Sequence, residues 1–207
     1  VLAVARQLAR GKVLPVDVAR SCFEWVRDEV SHTVDYRLEQ VTCTASEVLR
    51  ERTGFCYAKS HLLAALLRAN GIAAGFVYQR LALDKQTMGF CLHGLNALWL
   101  PDVGWYRIDA RGNRDDLRAG FDPPREHLPF ACVVPGEQLF SEVWAEPLRR
   151  VVDALRRHAT RGEFEANLPD ATDDDLKSER TGCVVVLERP SNACLSLSAN
   201  SSGRLTG

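Results

Sequence analysis

The sequence lacks any apolar run approaching the roughly 20 residues that span a bilayer, so neither a membrane helix nor a membrane partner is expected. It lacks a charge imbalance as well. With 26 basic residues against 27 acidic ones, no electrostatic footprint points to nucleic acid or to an anionic surface. The opening VLAVARQLARGK is too charged, and too short in its apolar part, for a secretory signal. It also lacks an initiator Met, which fits a trimmed or internal start. No internal repeat is visible. The seven cysteines (Cys22, Cys43, Cys56, Cys91, Cys132, Cys183, Cys194) are odd in number and not closely paired. That disfavours a disulfide framework, a zinc site and a dithiol redox motif, and it favours reduced thiols in the cytoplasm.

What is present suits one ordinary globular core: 207 residues, 46% hydrophobic and 26% charged. Val1, Val4, Ala5, Leu8 and Ala9 have helical spacing, stopped by Gly11. Pro15 opens a second helix whose apolar face is Val18, Ala19, Cys22, Phe23, Val26 and Val30. Residues 31–43 read as polar and irregular. Thr44 and Glu47 have capping-box spacing, which predicts a short helix from 45 to about 52. A further helix begins near Cys56, buries Ala58, Leu62, Ala65, Leu66 and Ala69, and stops at Asn70-Gly71.

Residues 72–83, 93–100 and 105–109 read as strands, with PDVG (101–104) as a turn. Helices followed by an antiparallel meander make the α+β class. A long ordered loop is expected over 111–135 and a helix over about 141–158, with Val143, Trp144, Leu148, Val151, Val152 and Leu155 inward. The expected organisation is therefore one domain over 1–160. A poorly packed or disordered tail over 170–207 should follow, with the acidic run 173–175 solvated.

Cys56 sits where a helix N-terminus offers free N–H donors and the positive end of the macrodipole, conditions that favour a thiolate. Gly54, just upstream, permits close approach of backbone to a ligand. A base could come from His93 and an orienting acceptor from Asp109, at the end of the next strand. If Trp99 pairs with Trp105, Leu95 faces Asp109 and His93 lies diagonally from it on one sheet face. A slip of one residue would separate them. Each residue alone has a bland reading: Cys56 as a buried thiol, His93 as a strand histidine, Asp109 as the cap of the ARGN turn. Lys59 and His61 read as a solvated helix face, and Cys91 as a packed neighbour. Trp99, Trp105 and Trp144 read as core, and His32, His127 and His158 have no partner pattern. A zinc site built from Cys91, His93 and Cys56 or Cys132 lacks any close cysteine pair to support it.

The stretch TGFCYAKSHLLAALLRANGIAAGFVY, together with HGLNALWLPDVGWYRIDARGN, resembles the transglutaminase-like superfamily over residues 44–113. There Gly-x-Cys opens a helix, a His opens a strand, and an Asp closes the strand that a Gly-Trp pair begins. The resemblance implies a papain-like fold, of the bacterial stand-alone kind, with a Cys56–His93–Asp109 triad that acts through an acyl-enzyme and needs no cofactor or metal. It implies the Cys56 backbone N–H as one oxyanion donor, with a second from upstream, for which Tyr36 and Gln40 are candidates. Gly54, Phe55, Tyr57, Cys91 and Trp105 are candidates to line the cleft. Leu95, Asn96-Ala97 and Ala110 depart from the family's usual aromatic, acidic and Pro residues, so the subsite lining need not follow it. No calcium-binding segment or extra β-domain of the animal cross-linking enzymes is present.

The expected activity is hydrolysis of peptide or isopeptide amides, with a peptide or protein as substrate. Transamidation is the alternative, and a non-catalytic protein-binding module that keeps the fold is a second. The oligomeric state is not legible.

Overall fold

The structure is a computed structural model and describes residues 1–83, 89–177, 179 and 182–187. Four helices come first: α1 (Leu2–Ala9), α2 (Pro15–Glu29), α3 (Ala45–Glu51) and α4 (Cys56–Ala69). Two short strands, β1 (Ser31–His32) and β2 (Thr53–Gly54), pair in parallel between them. Thr44 caps α3 with the expected capping box, and Pro15 occupies the first turn of α2.

The meander β3 (Ala74–Ala82), β4 (Phe90–Leu100) and β5 (Gly104–Ile108) follows α4. Trp99 lies opposite Trp105 and Asn96 opposite Ile108, which is the expected register. Beyond it come a small hairpin, β6 (Gly120–Asp122) with β7 (Arg125–His127), and the short strands β8 (Gln138–Leu139) and β9 (Glu142–Trp144). Helices α5 (Arg149–Arg157), α6 (Arg161–Glu165) and α7 (Asp173–Lys177) precede β10 (Cys183–Val186). The main sheet runs β10-β9-β3-β4-β5, with β8 also on β3, and every neighbour is antiparallel.

Helix α4 is the centre of the molecule. α1, α2 and α3 pack on one side of it and β3 and β4 on the other. One apolar cluster joins these helices to Leu98, Leu100, Tyr106 and Ile108; a second carries Phe55, Tyr57, Phe76, Tyr78, Trp144, Leu155, Phe164 and Leu176. A third, smaller one (Val77, Leu95, Ala97, Val143) covers the sheet face turned away from α4.

Several expectations are corrected. Lys59 and His61 are buried rather than solvated, at 1% and 8% exposure, because the first three turns of α4 are enclosed by the helices and the sheet. They survive there by bonding carbonyls: Lys59 Nζ to Val30 and Arg27, His61 Nδ1 to Cys43. The expected inward stripe of α4 is broader than its periodicity indicated, since Leu63, Ala64 and Leu67 are buried while Ala69 is exposed. The helix over 141–158 is a strand followed by a helix: Val143 and Trp144 belong to β9, and α5 starts only at Arg149. Pro147 is the physical reason, since it bars the helical conformation at Glu146 and the bond to its own missing N–H. The loop over 111–135 contains the β6–β7 hairpin. The stretch from 170 is not loose where it is described: Leu176 is wholly buried and β10 pairs with β9. The acidic run 173–175 is solvated as expected at Asp174 and Asp175, but it opens α7 instead of belonging to a tail, at a helix end where acidic residues are favoured. The rest of the 170–207 expectation, from 188 on, lies outside the described residues. Among the three tryptophans expected in the core, Trp144 is buried but Trp99 is 47% exposed.

Candidate active site

The N-terminus of α4 arrives at the sheet beside β4. Its N-cap, Phe55, has no polar side chain, and no acidic residue occupies the first turn. The positive helix end is therefore left without a competing anion of its own. Cys56 stands first in that turn, only 8% exposed. Close approach depends on Gly94: a Cβ there would lie 3.0 Å from Tyr57 Cα and 3.3 Å from its backbone N. β5 ends opposite Asn96, so the edge of β4 at Gly94 has no strand on that side among the described residues. The Gly94 N–H points there instead to Cys56 Sγ, 3.5 Å away.

His93 is the residue before Gly94 on β4, on the opposite sheet face, beside Gln79 across the β3–β4 pair. Its Nε2 is 2.6 Å from Asp109 Oδ2, and both groups are buried, at 6% and 1% exposure. The other carboxylate oxygen, Oδ1, accepts from the Arg111 backbone N–H at 2.8 Å, so both oxygens of Asp109 are engaged. Cys56 meets β4 at the adjoining residue, its Sγ accepting from the Gly94 N–H. Because Nε2 is committed to Asp109, Nδ1 is the nitrogen left for the thiol. Burial acts to lower the His93 pKa, but the negative charges of Asp109 and Cys56 outweigh it and push it up to about 10. The arrangement can hold a proton on His93 between an acceptor carboxylate and a sulfur.

A second layer closes around this trio. The Phe130 ring meets the His93 ring edge-on at 4.8 Å, and the Phe130 carbonyl accepts from Gln79 Nε2 at 3.1 Å. Arg111 places its guanidinium 5.7 Å from the Phe130 ring centre. The same group pairs with Asp35 at 2.9 Å and reaches His32 Nδ1 at 3.5 Å. Burial, reinforced by the positive charges of Arg111 and Lys59, holds His32 well below its usual pKa and so neutral. Burial also lowers Lys59 to about 7, partly offset by the Asp109 charge.

Other expected lining residues are placed differently from one another. Gly54 is packed against the protein itself, since a Cβ would meet Thr42 Oγ1 at 3.0 Å and Ala58 Cβ at 3.1 Å. Phe55 stacks on Phe164 at 4.4 Å, and Tyr57 donates its hydroxyl hydrogen to the Leu92 carbonyl. Both are core residues in their side chains. Trp105 contacts Trp99 edge-on at 6.0 Å and borders the third apolar cluster, away from Cys56 on β5. Cys91 is half-buried; burial, then the neighbouring Cys56 charge, pushes its pKa up to about 12. Tyr36 is 66% exposed beside a cavity of about 140 Å³ that Arg111, His32 and Asp35 also line. Gln40 is exposed and pairs through its backbone with Thr160. Arg111, Asp35, His32 and Phe130 carry no local sequence signal for a site.

The family model for the transglutaminase-like superfamily matches residues 2–110, which takes in α1 through the end of the meander and all three residues of the trio.

The chain belongs to the transglutaminase-like superfamily.

This is a family of cysteine-dependent enzymes, and its α+β, papain-like core is the fold described above. Among solved structures, the chain is similar to the periplasmic domain of TgpA from Pseudomonas aeruginosa bound to ethylmercury: 22% identity, TM-score 0.42, covering 53% of this chain and 42% of that one. It is similar also to a candidate cysteine protease from Cytophaga hutchinsonii, at 20% identity and TM-score 0.39, covering 53% of this chain and 37% of that one. A protein described as a TGase matches at 12% identity and TM-score 0.42, covering 66% of this chain and 37% of that one. The matches thus span less than half of each of these longer chains. No curated protein matches the sequence. Within this transglutaminase-like chain, no helix among the described residues is long and apolar enough to cross a membrane.

Proposed function

We propose that this transglutaminase-like protein is a cysteine-dependent hydrolase of peptide or isopeptide amides, acting through Cys56, His93 and Asp109. The observation that carries the reading is the 2.6 Å His93–Asp109 pair, one residue along β4 from Gly94, whose N–H meets the thiol of Cys56 at a helix N-terminus at 3.5 Å. In the reaction, the Cys56 thiolate attacks the amide carbonyl carbon and the π electrons move onto oxygen. The Cys56 backbone N–H donates to that oxyanion. His93 Nδ1 gives its proton to the leaving amine as the C–N bond breaks, which leaves a thioester. A water molecule, deprotonated by the now neutral His93, attacks the thioester and releases the acid and the thiolate. Asp109 keeps the ring oriented and its Nε2–H bound throughout. An amine in place of water would give transamidation by the same steps.

The substrate is a peptide or protein; nucleic acid and membrane have no place in this reading. A reducing, cytoplasmic setting belongs to it, because Cys22, Cys43, Cys56, Cys91 and Cys132 are free thiols and the nucleophile has to remain one. The test is acylation with p-nitrophenyl acetate followed by intact-mass and peptide mapping. The expected result is a burst of nitrophenol with one acetyl group on Cys56, absent from Cys56→Ala and from His93→Ala. Acetylation spread over several thiols, or an unchanged burst in Cys56→Ala, would refute the reading.

A further inference from the structure

We propose that His32 is a further catalytic residue: its Nε2–H is the second donor to the oxyanion, and Arg111 fixes the tautomer that makes it one. The inference rests on the reading of Cys56 as nucleophile.

Position is the first argument. β1 is parallel to β2 with His32 opposite Gly54, two residues before Cys56. The pairing is tied on both sides, Ser31 N–H to the Arg52 carbonyl at 3.0 Å and Thr33 N–H to the Gly54 carbonyl at 3.2 Å. The strand that delivers the thiol and the strand that carries His32 thus move as one unit. The His32 ring stands edge-on to Phe55, the N-cap of α4, 6.2 Å between centres, and so lies beside the start of that helix.

Tautomer is the second. A guanidinium has only N–H donors to offer, and Arg111 Nη2 is 3.5 Å from His32 Nδ1. Nδ1 must then hold a lone pair, and the single proton of the neutral ring sits on Nε2. Asp35 Oδ2 is 3.8 Å from Nδ1, beyond hydrogen-bond reach, and is instead occupied by Arg111 at 2.9 Å. Among the described residues, His32 Nε2 makes no hydrogen bond, and it is not one of the sealed, unsatisfied polar atoms of the interior, so its N–H is left to solvent or to a bound group.

Electrostatics is the third. The charged groups around His32 are Arg111, Lys59, His93 and Arg114, with Asp35 as the counter-charge already paired to both arginines. Burial, the larger cause of the ring's neutrality, favours no charge of either sign, but the cationic Arg111 and Arg114 nearby would attract negative charge on a substrate oxygen. Arg111 also donates its backbone N–H to Asp109, so one residue orients the base and the oxyanion donor together. Tyr36 and Gln40, the donors suggested by sequence, are both exposed.

Two rates separate this role from a structural one. Alkylation of Cys56 by iodoacetamide proceeds at a saturated carbon and develops no oxyanion; acylation by p-nitrophenyl acetate does. His32→Phe keeps a ring against Phe55 but removes the donor. It is expected to slow acylation roughly 10²–10³-fold, with alkylation within a few-fold of wild type. His32→Gln, which keeps an N–H, should regain at least about ten-fold of that loss. Acylation at the wild-type rate in His32→Phe overturns the proposal, and so does an equal loss of both rates, which would mean that His32 only positions the thiol. Wild-type Cys56 that neither alkylates fast nor acylates would fail the nucleophile reading first, and this one with it. Should His32→Phe not fold, ¹⁵N spectra of histidine-labelled wild type decide. A neutral His32 with its proton on Nε2 at neutral pH is expected, and an imidazolium or a proton on Nδ1 contradicts the proposal.

Discussion

Residues 2–110 and residues 111–187 differ in how much directional polar anchoring they add to apolar packing. The first region is built from apolar stripes: Phe23, Val26, Leu62, Leu66 and Leu98 are all wholly buried, in four helices and a long-paired meander. The second adds α5 to α7 and residues such as Trp144, Leu155 and Phe164 to the apolar core, but its short strands and loops over 111–140 are tied down largely by side chains reaching carbonyls. Arg20 reaches the Phe121 carbonyl at 2.6 Å, Arg27 the Ala119 carbonyl at 3.2 Å, and Gln79 the Phe130 carbonyl at 3.1 Å. Arg80 grips Asp170 with two bonds, 2.8 and 2.7 Å. Dense apolar packing fixes the positions of Cys56, His93 and Asp109 to the accuracy that chemistry requires. Directional polar anchors hold the Phe130 cover and the Arg111 network in place over them. The first region supplies the groups that would react, and the second supplies what surrounds them.

That division can be broken at several points. The largest effects belong to the first region: Cys56→Ala should abolish ester turnover, and His93→Ala should lower both acylation and alkylation at Cys56 by roughly 10³-fold or more, read by nitrophenol release and mass mapping. Asp109→Asn is next, with an expected loss of roughly 10²–10⁴-fold in acylation, because the ring then loses its charged orienting partner. Smaller is the effect of uncovering the site: Phe130→Ala should slow acylation about ten-fold while leaving the melting temperature nearly unchanged. Leu176→Ala should do the reverse. It opens a cavity under α7, costing about 2–4 kcal/mol and lowering the melting temperature by roughly 5–15 °C, with activity retained below the transition. An equal loss of activity in Leu176→Ala would erase the distinction between the regions.

The smallest effect is in pH. His93 is raised from 6.5 to about 10, so it adds stability that is full below about pH 6.5 and is lost as pH rises through about 10. Lys59 is lowered from 10.5 to about 7, so its burial destabilises fully below about pH 7, and the penalty lifts toward pH 10.5. The two slopes oppose each other between about pH 7 and 10. Wild-type stability to urea should be nearly flat there, Lys59→Met should fall with rising pH, and His93→Gln should rise. Parallel slopes in both variants would contradict the assignment.

The difference between the regions also decides what the sequence could disclose. α2, α3 with its Thr44–Glu47 box, α4 and the Trp99–Trp105 register were legible, because local periodicity and caps determine them. The stretch 142–157 was misread, because Val143, Trp144, Leu148, Val151 and Leu155 satisfy helical spacing while Pro147 imposes a break. Lys59 and His61 were misplaced, since polarity predicts exposure and only the fold reveals the carbonyls that receive them. Of the candidate site, the Cys56, His93 and Asp109 positions stood out on adjoining elements. Asp35, Phe130 and Gln79 did not, because long-range contacts bring them in: Asp35 and Arg111 are 76 residues apart, Gln79 and Phe130 51.

The central claim is that Cys56 is a nucleophile activated by its surroundings, and its alkylation rate tests this most directly. Burial pushes up the thiols of Cys22, Cys43, Cys91 and Cys132. With iodoacetamide at about pH 6 and peptide mapping, the account predicts that Cys56 is modified at least ~10²-fold faster than these four, and that His93→Ala removes the advantage. Labelling of Cys56 no faster than a model thiol, unchanged in His93→Ala, would contradict it.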